Sequence, residues 1–216
     1  MDFMSIVEQI IGGFGTTLLI FFFTLLFSMP LGILFALARM SKFKPLNWLM
    51  QVCISILRGT PLMLQLIVVF FMPYYVFGIK LSAGWRAYAA LIGFSVNYAA
   101  YFGEIFRAGI EGVPVGQHEA AEVLGFTRAQ TFWKIVFPQM VKRVIPPVTN
   151  EVITLVKDTS MAFAIAYVEM FTLAKQVAAQ QSSIAPLFVA GLFYYVFNFI
   201  VAWAMGRLEK RLSYFE

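Results

Sequence analysis

Charge is scarce in this chain of 216 residues. Only 12% of its residues are charged, whereas an average soluble protein has about 25%. Histidine and cysteine are scarcer still, with one copy each, His118 and Cys53. A single residue of each type excludes a disulfide framework and a metal site built from several such residues. The chain also lacks a Gly-x-Ser-x-Gly segment, so no catalytic set for an intramembrane enzyme is visible.

The phosphate-binding loop G-x-x-x-x-G-K-[ST] is missing as well. That loop cradles phosphates with its backbone N–H groups, and a chain without it does not bind ATP in that way. The sequence therefore predicts no cofactor in this chain. If the protein uses ATP, a separate subunit must hydrolyse it.

Apolar residues are abundant, at 61% of the chain. About 20 consecutive apolar residues span a bilayer as a helix. Such segments predict an all-α membrane protein, a single transmembrane domain over residues 1–216 with five spans. The predicted spans are residues 14–38, 50–77, 87–108, 144–168 and 185–206.

The residues before the first span have a helical pattern of their own. Phe3, Ile6, Val7 and Ile10 follow the spacing i, i+3, i+4, i+7 and share one helical face. This pattern predicts a short N-terminal helix lying in the membrane interface.

Basic residues are distributed unequally between the loops. Counted with Arg107 at the end of the third span, the loops after the first, third and fifth spans hold eleven Lys and Arg residues, and the other loops hold three. Because positive charge stays on the cytoplasmic side, the N-terminus is predicted outside and the C-terminus inside. Residues 109–143 then form a long cytoplasmic loop.

This loop contains a spaced motif. Its residues are Glu119, Ala120, Ala121, Gly125, Ile135 and Pro138, with Phe137 where Leu is usual. The motif resembles the EAA motif of permease subunits of binding-protein-dependent ABC importers, and the polar amino acid branch is similar over nearly the whole chain. The resemblance implies a type I ABC importer fold in the cytoplasmic (inner) membrane.

The resemblance also implies partners. They are a second permease subunit, identical or paralogous, two ATPase subunits that bind ATP and Mg, and an extracytoplasmic amino acid-binding protein. The EAA residues would form a coupling-helix hairpin that contacts the ATPase. Substrate would move by alternating access.

The loop residues independently predict a two-helix hairpin. Gly125 can end the first helix with a positive φ, Thr127 can cap the second, and Pro138 is expected to stop it. Phe126, Phe132 and Trp133 form an aromatic cluster suited to docking in a partner's groove. The alternative is a loop that packs only on its own spans.

Polar side chains form stripes on two neighbouring spans. Glu151, Thr154 and Asp158 share one face of the fourth span. Asn97, Tyr101 and Glu104 share one face of the third. Because charge inside a membrane is costly, we expect these stripes to line a water-filled path.

We expect the amino acid to bind between these stripes. Its ammonium and any cationic side chain would meet Asp158, Glu151 or Glu104. Its carboxylate would meet backbone N–H groups or hydroxyls near Thr159 and Ser160, or else Lys157. The acidic excess favours arginine, histidine or lysine and leaves glutamine open. The alternative is that these charges form structural pairs, such as Glu104 with Arg107.

The second span contains a predicted break. Gly59 and Pro61 disfavour a continuous helix there. Arg58 at the break would gate the inner mouth or pair with an acidic residue. Gln65 would face the cavity or make an interhelical hydrogen bond.

Another class of transporter also accommodates intramembrane carboxylates. A secondary transporter driven by an ion gradient would use such carboxylates. This alternative leaves the cytoplasmic hairpin unexplained, and the sequence shows no obvious inverted repeat.

Overall fold

A computed structural model describes residues 3–212, which contain ten α-helices and no strand. The helices are α1 Phe3–Ile11, α2 Phe14–Arg39, α3 Lys44–Gly59, α4 Leu62–Phe77, α5 Trp85–Glu111, α6 Val115–Val123, α7 Arg128–Thr131, α8 Phe137–Asp158, α9 Met170–Gln181 and α10 Ala185–Leu212. A π-helical turn, Phe132–Val136, joins α7 to α8, and a 3₁₀ helix, Thr159–Ile165, follows α8.

Helix α5 is the centre of the fold, with α2, α4 and α8 packed around it. Two glycines bring α2 and α5 into backbone contact. A Cβ on Gly32 would lie 2.7 Å from the Cβ of Phe102, and one on Gly103 would lie 2.9 Å from the Cβ of Phe35. Small residues allow such close approach between membrane helices.

Within residues 3–212, two helical stretches are long and apolar enough to cross a membrane, Met4–Arg39 and Ala185–Leu212. Two bent helix pairs raise this number to four if each pair forms one span. The third predicted span, residues 87–108, corresponds to the 27-residue α5. Helix α5 is less apolar than those two stretches. Its polar residues, such as Asn97, are buried inside the protein, where a polar side chain can find a partner.

The second predicted span is not one continuous helix. Helices α3 and α4 meet at an angle of 112°, and Thr60 and Pro61 between them have extended backbone conformations. The predicted break is therefore a sharp corner within residues 50–77.

The fourth predicted span, residues 144–168, has different bounds in the structure. Pro138 does not stop a helix, contrary to expectation, because it lies in the first turn of α8. A proline is tolerated there, and the preceding π-helical turn changes the hydrogen-bond spacing before it. Helix α8 ends at Asp158, and the 3₁₀ helix continues to Ile165.

The N-terminal helix packs on protein. Ile6 and Ile10 are buried against Met170, Ala174 and Val189 of α9 and α10. Part of the apolar face predicted to lie in the membrane interface is therefore covered by the chain itself. The side chain of Phe3 lies outside the described residues.

Glu169 joins the ends of several helices. It is fully buried and caps α9 by accepting hydrogen bonds from the N–H groups of Phe171 and Thr172, both at 2.7 Å. The hydroxyl of Tyr194 on α10 donates a third bond at 2.8 Å. The hydroxyl of Thr17 on α2 accepts a bond from the N–H of Met170 at 3.3 Å.

Candidate functional site

Asp158 lies at the point where α8 changes into the 3₁₀ helix. The hydroxyl of Tyr98, on the centre of α5, donates a 2.8 Å hydrogen bond to one Asp158 oxygen. Tyr98 is only 2% exposed, so its hydroxyl stays beside the carboxylate. Asp158 is half-buried, so its carboxyl group is partly accessible at this helix junction.

Glu151 and Arg58 extend this polar region toward the α3–α4 corner. Glu151 is half-buried two turns before Asp158, and it interacts electrostatically with both Asp158 and Arg58. The Arg58 guanidinium lies over the ring of Tyr101, 5.2 Å from its centroid. The Tyr101 ring lies 6.2 Å from that of Tyr98. We call these five side chains the polar cluster: Arg58, Tyr98, Tyr101, Glu151 and Asp158.

Glu104 has a structural partner. Its carboxylate forms a 2.6 Å ion pair with Arg107, which also binds Glu111 at 2.5 Å. Glu104 nevertheless lines a cleft of about 560 Å³ together with Arg58 and Arg143. Arg143 donates to the Gly112 carbonyl. The structural pairing considered for Glu104 is therefore present.

The residues around Asp158 differ in accessibility. Thr159 is fully buried and donates to the Val156 carbonyl at 2.8 Å. It therefore cannot contact a solute in this conformation, contrary to expectation. Ser160 donates to the Lys157 carbonyl at 2.8 Å, which leaves its oxygen free to accept a bond. The Lys157 side chain is exposed.

Gln65 and Asn97 are engaged with the chain and with each other. The Gln65 amide donates to the Leu57 carbonyl at 2.7 Å, and the Asn97 amide donates to the Gln65 oxygen at 3.0 Å. The interhelical hydrogen bond considered for Gln65 is present. The amide nitrogens of both side chains are therefore engaged within the chain in this conformation.

The loop at residues 109–143 contains the predicted helix–turn–helix. Gly125 follows α6 with φ +76°. Thr127 caps α7 with a capping box that it shares with Gln130. Glu119 and Ala120 are exposed on α6, whereas Ala121 is fully buried.

The hairpin carries an exposed apolar surface. The rings of Phe132, Trp133 and Phe137 pack together, with Trp133 5.2 Å from each of the other two centroids. Lys134 lies over the ring of Phe126 at 5.7 Å. Val123, Leu124 and Trp133 are each more than half exposed. Ile135 is half-buried, and Pro138 lies on the exposed side.

The sequence predictions missed Tyr98 and Glu169. Tyr98 adjoins Asn97 and lies three residues before Tyr101. Residues three apart are neighbours on a helix, so the sequence did place a phenol beside the polar stripe of α5. Glu169 is an acidic residue just before a helical segment, which is a common capping position.

A helical bundle with long apolar helices and two bent helix pairs is the architecture of a multi-spanning membrane protein. A match over residues 28–214 shows that the chain belongs to the family of inner membrane components of binding-protein-dependent transport systems. It is 36% identical to the L-cystine transport system permease protein TcyB of Bacillus subtilis (strain 168), over 94% of this chain and 86% of TcyB. It is 35% identical to the arginine permease ArtQ of the same organism, over 99% of this chain and 98% of ArtQ.

A solved structure is similar over almost the whole chain. The crystal structure of an amino acid ABC transporter with histidines matches with a TM-score of 0.87 and 28% identity, covering 98% of this chain and 99% of that one. The MetNI methionine ABC transporter shares the fold at 18% identity and a TM-score of 0.70. The chain is thus a type I ABC importer permease, a transport subunit and not an enzyme. These comparisons give no support to an ion-gradient-driven transporter.

Proposed function

We propose that this permease carries a polar, cationic L-amino acid such as arginine, histidine or lysine into the cytoplasm. The observation that carries the proposal is the placement of Asp158 and Glu151 on one face of α8. Two half-buried carboxylates with no Lys or Arg within salt-bridge distance among the described residues suit a cationic solute. The relative ArtQ is an arginine permease and aligns with nearly the whole chain.

The cluster suggests how the cargo is oriented. The cationic groups lie toward Asp158 and Glu151. The carboxylate lies toward Arg58 or Lys157, basic residues well inside the second and fourth predicted spans. The free oxygen of Ser160 accepts a hydrogen bond from the ammonium. Thr159 serves the structure of the 3₁₀ helix instead.

The permease works in an assembly. A second permease subunit completes the path, two ATPase subunits bind ATP and Mg at the cytoplasmic face, and an extracytoplasmic binding protein delivers the amino acid. The N-terminus lies outside and the C-terminus in the cytoplasm, as the excess of basic residues in one set of loops indicates.

The hairpin transmits ATPase movement. Glu119 and Ala120 on α6, together with the aromatic cluster around Phe132, present an exposed face for the ATPase. Gly125 sets the turn between the two helices, and buried Ala121 and half-buried Ile135 support it from inside. Moving a gate from 1:99 to 99:1 takes about 5.5 kcal/mol, which requires a well-packed connection.

Uptake into proteoliposomes tests the proposal. The complex of permease, ATPase and binding protein is supplied with ATP and labelled arginine, histidine, lysine, glutamine or cystine. We expect a cationic amino acid to accumulate only with ATP. Asp158→Asn should raise KM for that amino acid by about tenfold, equivalent to ~1.4 kcal/mol.

Uptake of glutamine and cystine in the same assay tests whether the substrate is cationic. If they accumulate and cationic amino acids do not, the transport function stands but the cationic substrate is wrong. Uptake by the permease alone on a proton or sodium gradient would contradict the ATP-driven function. Glu119→Lys should reduce ATP-driven uptake of every cargo, because it acts at the hairpin and not at the cargo.

A further inference from the structure

The Leu57 carbonyl at the α3–α4 corner is one that the helix cannot satisfy. In a helix the Leu57 carbonyl would accept a bond from the N–H of residue 61. Residue 61 is a proline and has no N–H. A carbonyl left unpaired in a membrane protein is costly, so it must find another donor.

Two side-chain amides supply the missing donors. The Gln65 amide lies 2.7 Å from the Leu57 carbonyl, and the Asn97 amide lies 3.2 Å from it. The same two amides bond each other at 3.0 Å. Thr60 completes the corner by accepting from Gln65 and donating to the Ile56 carbonyl, both at 2.8 Å. We call Gln65 and Asn97 the amide clamp.

The clamp connects the corner to α5. Asn97 is only 3% exposed and lies at the centre of that helix. Tyr101 lies one turn further along α5, and its ring supports the guanidinium of Arg58. Arg58 directly follows Leu57 in the chain. One helix therefore holds both the Leu57 carbonyl and the side chain next to it.

We propose that Gln65 and Asn97 are positioning residues for Arg58 and do not themselves bind cargo. The clamp holds the α3–α4 corner on α5, so that the guanidinium stays over Tyr101, within the polar cluster. Loss of the clamp frees the corner and moves Arg58 away from the cargo carboxylate. The part that concerns cargo rests on the proposed function.

Asn97→Leu and Gln65→Met remove the amides and keep similar side-chain volumes. Ser95→Ala is the matched control. Ser95 is also buried on α5, and its hydroxyl has no hydrogen-bond partner within residues 3–212. All variants are studied in the assembled complex. If Asn97→Leu fails to assemble, Gln65→Met tests the same bonds from the α4 side.

Hydrogen exchange measures the corner without any cargo. We expect faster amide exchange over residues 57–65 in Asn97→Leu and Gln65→Met, by about tenfold, and no change in Ser95→Ala. Unchanged exchange in both clamp variants would overturn the clamp. This measurement remains decisive even if the complex imports no amino acid, in which case the proposed function alone has failed.

Uptake kinetics measure the positioning role. Asn97→Leu should raise KM by about tenfold, or ~1.4 kcal/mol, with turnover nearly unchanged. In an Arg58→Gln background, Asn97→Leu should raise KM no further, because the guanidinium that the clamp positions is already absent. An equal rise in KM in both backgrounds, or a loss of turnover alone, would refute positioning of Arg58.

Discussion

The hydroxyl of Tyr98 and the carboxylate of Asp158 are joined by a 2.8 Å hydrogen bond that links the centre of α5 to the end of α8. The donor is neutral, so it orients the carboxylate without cancelling its charge. A cation that enters the cluster therefore meets a carboxylate with its orientation already set.

Removing this donor tests its contribution. We expect Tyr98→Phe to raise KM for the cationic cargo by about fivefold, because one hydrogen bond to a charged group contributes roughly 1.5–3 kcal/mol and part of that is recovered from water. Uptake kinetics in proteoliposomes provide the measurement. Tyr195→Phe is the control, since Tyr195 is 68% exposed on α10. Equal KM values for both variants would contradict an orienting role for Tyr98.

The exposed ring of Trp133 should be needed for ATPase binding. Trp133→Ala removes an aromatic anchor from the hairpin surface, and such anchors contribute about 2 kcal/mol or more when they are buried in an interface. Copurification of the ATPase should fall by more than tenfold, equivalent to ~1.4 kcal/mol. Trp203→Ala serves for comparison, because Trp203 is similarly exposed but lies on α10. If both variants retain the ATPase equally, the hairpin does not dock through Trp133.

The contact between α2 and α5 should not tolerate a methyl group. Gly32→Ala places a Cβ 2.7 Å from Phe102, and overpacking of this kind costs about 1–3 kcal/mol. We expect a lower melting temperature for the purified complex. Gly191→Ala changes a helical glycine whose added Cβ meets nothing within 4 Å. Gly191→Ala should leave the melting temperature equal or higher. If Gly191→Ala lowers the melting temperature as much as Gly32→Ala does, overpacking is not the cause.

Glu169 should contribute to stability and not to transport specificity. Glu169→Ala leaves two partly buried N–H groups at the start of α9 without their acceptor, and loss of an N-cap costs about 0.5–2 kcal/mol. The melting temperature should fall while KM stays the same. The exposed Glu122 provides the comparison, and Glu122→Ala should have no effect on melting. A changed KM in Glu169→Ala would place this residue nearer to the cargo than the structure does.

The sequence predicted elements whose signals are local. Gly125 and Thr127 set the turn of the hairpin, because a positive φ and a side-chain cap depend on neighbours within a few residues. The break at Pro61 was predicted for the same reason. Its 112° angle was not, because it depends on contacts with Asn97, distant in the chain.

Pairings between helices were only partly predictable. Glu104 and Arg107 are one turn apart, and their ion pair follows from helical spacing. Tyr98 and Asp158 are 60 residues apart, and hydropathy does not encode which face of α5 meets α8. Pro138 was misjudged because the π-helical turn before it gives no simple sequence signal.

The contact of α2 with α5 through Gly32 and Gly103 has a consequence for how this permease changes shape. Two backbones in direct contact cannot slide past each other without collision, so these helices must travel together during a transport cycle. The corner at Pro61 and the 3₁₀ helix after Asp158 are joints beside this pair of helices. Both joints adjoin charged residues of the polar cluster, so movement at either joint would shift groups that we propose to bind the cargo.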